Sequence, residues 1–193
     1  VNKKLAAALS GGAVLMAALT GCSSGGGSDN NDKLDAWAKQ VCDAVQPQAK
    51  KIAAANAAIQ KQTSDNSAPA DVQKTDAKAF QDMSDAYKAI GAAVNSAGAP
   101  DVDNGKKKQQ DAVKELNQIG ASYASLKKQV DELDTKDQAK FADGLKDIAT
   151  QLDKLSTTGN DALKNLEEGD VGKAMAKQES CKSASSSASA TAG

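Results

Sequence analysis

Apolar positions recur at alternating spacings of three and four residues along most of this chain, the period of amphipathic helices rather than strands. The clearest run is Ala112, Leu116, Ile119, Tyr123, Leu126, Val130 and Leu133, set between faces of lysine, aspartate and glutamine. It is followed by Phe141, Leu145, Ile148, Leu152, Leu155, Gly159, Ala162 and Leu166. Upstream lie Phe80, Met83, Tyr87, Ile90 and Val94, and before them Leu34, Ala38, Val41, Val45, Gln48, Ile52, Ala55 and Ile59. No segment alternates with the period of two that a half-buried strand requires. The pattern predicts an all-α domain of four long helices.

Turn chemistry separates the stripes. Pro69 suits the first turn of the second helix, where its missing donor costs little. Gly98-Ala99-Pro100 ends that helix, and Thr135 with Gln138 has the spacing of a capping box at the start of the fourth. Gly169 is placed to end the fourth helix in a left-handed cap, and Asp170 to cap a short final helix carrying Val171, Met175 and Cys181. Helices joined by short loops pack as antiparallel neighbours, so the expected architecture is an antiparallel up-down-up-down four-helix bundle with a short C-terminal helix. Pro47 should kink the first helix. Gly91, Gly120 and Gly144 adjoin stripe residues, where close helix approach would offset the roughly 1 kcal/mol that glycine costs in a helix. Residues 183–193, nearly all serine and alanine, have too little apolar surface to order.

The front of the chain has another character. Lys3 and Lys4 precede an apolar run from Leu5 to Leu19, too short to span a bilayer, and small residues follow. This is the layout of a secretory signal. Its end, Leu19-Thr20-Gly21-Cys22, resembles the lipobox of bacterial lipoproteins. The resemblance implies diacylglyceryl transfer to Cys22, cleavage before it and attachment to the membrane through lipid. Two acyl chains anchor stably where one binds only marginally. The chain therefore divides into a lipoprotein signal peptide (1–21), a flexible tether (22–31), a helical bundle domain (32–182) and the tail (183–193). Trp37, the only tryptophan, is expected to plug the bundle end beside Cys42 rather than lie in lipid.

Cysteine parity adds a constraint. With Cys22 carrying lipid, Cys42 and Cys181 remain, an even number in a compartment that permits disulfides. Their pairing would staple the ends of the domain, and the absence of a C-x-x-C pair argues against a redox role.

Charge and missing residue types narrow function further. Removing Lys3 and Lys4 takes the positive residues from 24 to 22 against 25 acidic ones, a balance that does not suggest nucleic acid. The chain has neither arginine nor histidine. It thus lacks the planar fork that recognises phosphate and carboxylate and the commonest general base and metal ligand. No catalytic, metal or cofactor site is predicted. Lys106-Lys107-Lys108 and Lys127-Lys128 could meet anionic envelope polymers, but acidic residues interspersed on the same helices favour a solvated face.

The alanine-rich body, glycine-serine linker and two later cysteines resemble the small secreted lipoproteins of actinobacteria. The expectation is a non-enzymatic, membrane-anchored helical module on the extracytoplasmic face of the cell membrane, with an envelope protein as partner. The alternative is a solute-binding or carrier lipoprotein that holds a small apolar ligand between its helices, near Tyr87, Tyr123 or Met83.

Overall fold

The computed structural model describes residues 28–62, 67–158 and 161–189, and every regular element among them is a helix. Three long helices come first: α1 (Ser28–Gln62), α2 (Pro69–Ala97) and α3 (Gly105–Asp131). Four shorter ones follow: α4 (Gln138–Thr158), α5 (Asp161–Glu167), α6 (Asp170–Lys177) and α7 (Glu179–Ser189). The signal segment, Cys22 and residues 23–27 of the tether lie outside the described residues, as do 190–193.

The core is built from the stripes that the sequence marks. Leu34, Val41, Ile52 and Ile59 of α1 meet Phe80, Met83, Tyr87 and Ile90 of α2 and Leu116, Ile119, Leu126 and Val130 of α3 in one buried cluster. Hydrogen bonds between the helices fix their directions. The Gln73 side-chain amide donates to the Val130, Asp131 and Leu133 carbonyls at the end of α3. Ser84 Oγ donates to the Gly120 carbonyl at 2.7 Å one level further along. Rising numbers on α2 thus meet falling numbers on α3, and the two run antiparallel. Trp37 Nε1 donates to the Gly98 carbonyl at 2.9 Å, which sets the start of α1 beside the end of α2. On the far side of α3, Gln129 bonds Gln151 of α4 and Glu115 accepts from the Ala162 amide of α5, so α4 and α5 descend along α3 in turn.

Glycine makes the α2–α3 seam close. A Cβ on Gly120 would lie 2.9 Å from Lys88 Cγ and 3.1 Å from the Ser84 carbonyl, and one on Gly91 would lie 3.3 Å from the Asn117 side chain. Gly144 makes room for the Leu133 side chain where α3 turns into α4. Each of the three positions therefore serves close approach.

Several boundaries differ from the sequence expectation. The fourth stripe runs through α4 and α5, where Leu163 and Leu166 reach the core, and Gly159 between the two helices lies outside the described residues. The α4 cap is Asp137, not Thr135: its Oδ1 accepts from the Ala139 and Lys140 amides, both at 3.1 Å. A box from Thr135 to Gln138 would start the helix earlier, whereas α4 begins at Gln138 itself. The short final helix is two helices, since Gln178 takes an extended conformation between α6 and α7. Asp170 opens α6 and pairs with Lys173, while Gly169, at φ 72°, occupies the cap position. Residues 183–189, expected to be disordered, continue α7, and Ala184 is buried. At the other end α1 begins at Ser28, inside the segment read as tether.

Candidate functional site

The features that could carry function lie at the α1–α7 junction, in the aromatic centre of the core, at two buried carboxylates and on the lysine faces. The junction is the most extensively tied. Cys42 and Cys181 are joined by a disulfide with Cα atoms 4.9 Å apart, and both are buried. Around it Ser180 donates to Asp43, Gln46 donates to Ser183 Oγ, and Lys177 pairs with Asp35 at 3.0 Å. Partner numbers rise together on both helices, so α7 runs in the same direction as α1. The Asp43 carboxyl is held below the usual carboxylate range, first by its bond to Lys39 and then by Ser180. α7 has few apolar residues of its own, so the disulfide, Ala184 and these polar contacts hold it in place.

Trp37 is buried, and its indole bond to Gly98 satisfies a carbonyl at the end of α2. It plugs the end of the domain, the position expected from the sequence. Pro47 lies within α1, and one residue on, the side-chain oxygen of Gln48 is buried without a hydrogen-bond partner among the described residues.

In the centre, the rings of Tyr87 and Tyr123 stack with centroids 5.5 Å apart, and Phe80 lies 6.1 Å from Tyr123. Burial raises the phenol pKa of both tyrosines, that of Tyr123 to about 12. Met83 packs beside them and is 1% exposed. These are the side chains nominated to line a ligand cavity, and here the two tyrosine rings stack on each other while Met83 belongs to the same buried cluster.

Two carboxylates are less exposed than the sequence suggested, where Glu167 reads as an ordinary surface acid and Asp76 does not stand out. Asp76 is 8% exposed and its Oδ1 has no hydrogen-bond partner among the described residues. Desolvation pushes its pKa up to about 6. Half-buried Glu167, the last residue of α5, is pushed to about 7 by the same cause. A signal for Asp76 was present, because it precedes Met83 and Ile90 at intervals of seven and so continues the α2 stripe backwards. Asp76 and Glu167 lie on different elements, and among the described residues neither has a hydrogen-bond partner that would set it up as a catalytic acid or base.

The lysine clusters are partly paired along their own helices. Lys107 bonds Asp111 and Lys127 bonds Asp131, each four residues on, as do Lys39 with Asp43 and Lys78 with Asp82. Exposed pairs of this kind contribute only a few tenths of a kcal/mol. Among the described residues no three or more His, Cys, Asp or Glu side chains are placed to hold a metal ion, and no helix is long and apolar enough to cross a membrane. No protein-family model matches the chain, and it matches no curated protein in sequence and no solved structure.

Proposed function

We propose that this chain is a lipid-anchored, extracytoplasmic helical module of the cell envelope that binds a protein partner and catalyses no reaction. The observation that carries the reading is the buried Cys42–Cys181 disulfide, a structural cross-link of the kind found in oxidising compartments, in a chain whose front resembles a lipoprotein signal. In this reading the helices form an up-down-up-down bundle whose fourth position is shared by consecutive short helices, with α7 strapped to α1. The antiparallel contacts of α2 with α3, and of α4 and α5 with α3, support that arrangement.

The polar, ion-paired helix faces suit a solvated surface with a partner-binding area more than a catalytic cleft. The carrier alternative fits less well. The stacked Tyr87 and Tyr123 rings and buried Met83 occupy the space where an apolar ligand would sit.

Cell fractionation of a Cys22→Ala variant tests the anchor. Folded, unacylated protein in the medium supports it, and undiminished membrane retention overturns it. Native mass spectrometry of protein taken from its own envelope tests the carrier alternative, which needs a reproducible extra mass on the folded domain.

A further inference from the structure

We infer that the domain stands end-on upon the bilayer, with the end where α1 begins facing the lipid headgroups and the α3–α4 corner pointing outward. This rests on the lipid-anchor reading and deepens it, because the structure constrains how such an anchor would present the domain. α1 starts at Ser28, six residues after Cys22, and six extended residues span at most about 20 Å. A tether running to residue 31 would let the body roam further. The end held near the membrane is well defined. Trp37 brings the α2–α3 loop to it through Gly98, and Lys177 brings the end of α6 to it through Asp35.

The chemistry of this end opposes insertion. Its tryptophan is buried, and Asp32, Lys33, Asp101, Asp103 and Lys106 are exposed there. The flanks give the domain little reason to lie flat, since lysine–aspartate pairs line α1, α2 and α3. The competing pose would lay the half-buried Leu145, Leu152 and Leu155 of α4 on the membrane. However, Phe141 and Ile148 on the same helix are buried, which leaves only the margin of the stripe for lipid.

Neutron reflectometry separates the two poses. The intact chain would be extracted from its own membranes and reconstituted into a supported bilayer of phosphatidylcholine and phosphatidylglycerol, with its intact mass read on the same preparation. α1 has 35 residues and is about 50 Å long at 1.5 Å per residue, whereas two helices side by side measure about 20–25 Å. The expected protein layer is therefore roughly twice as thick as a flat-lying domain would give. A thin layer from acylated protein overturns the end-on pose and leaves the anchor standing. A mass without acyl chains overturns the anchor and the pose together.

Discussion

Asp76 works against the fold at neutral pH. Its carboxyl is buried without a partner for Oδ1, and its pKa rises from 3.8 to about 6 through desolvation. Between those values the folded state holds a proton that the unfolded chain releases, so this group's contribution to stability falls as pH rises from about 4 to above 6. Two pKa units correspond to about 3 kcal/mol. Asp76→Asn should therefore stabilise the domain at pH 7 and flatten its stability between pH 4 and 6, as measured by urea titrations across that range. An unchanged pH profile would show that the carboxyl is hydrated. Residue types along the stripes were legible because burial follows period. Asp76 was not, because a lone acid on an apolar face looks like the edge of the pattern rather than part of it.

At the scale of elements, the glycines and a cap borrowed from another helix make sharp predictions. Gly120→Ala should gain helix propensity and still lose stability, by about 1–3 kcal/mol, because the new methyl meets the Ser84 carbonyl backbone. Thermal denaturation decides the sign, and a rise in Tm would mean that the seam relaxes at little cost. Glu115 caps α5 from α3, accepting from the Ala162 amide at 2.8 Å. Glu115→Ala should cost about 1–2 kcal/mol and speed hydrogen exchange at Ala162 and Leu163 while leaving α2 protected. The sequence identified four apolar stripes but could not identify this cap, since its two halves are 47 residues apart. It also missed the division of the final helix at Gln178, whose extended backbone separates α6 from α7. α7 shows the opposite error: composition argued for disorder, and attachment to α1 supplies the order that its own apolar residues do not.

For the whole molecule, the disulfide is the long-range constraint. Cys42 and Cys181 are 139 residues apart in sequence, and their pairing was read from parity, with Cys22 set aside for lipid, together with the expected bundle topology. Closing so long a loop lowers the entropy of the unfolded chain, and removing a native bridge typically costs 2–5 kcal/mol. The Cys42→Ala, Cys181→Ala double variant should therefore melt at a clearly lower temperature. It should also release α7 to exchange before α2 and α3, which keep their own apolar seam. Simultaneous exchange in all three would show that the strap is integral to the core.

The same link gives the chain an unusual response to proteases. The α2–α3 loop and the α3–α4 corner both fall inside the covalent ring closed by Cys42 and Cys181. A single cut at either place opens that ring without dividing the molecule, and both pieces remain joined until the bridge is reduced. A single proteolytic cut would in this way produce a nicked protein rather than two separate fragments.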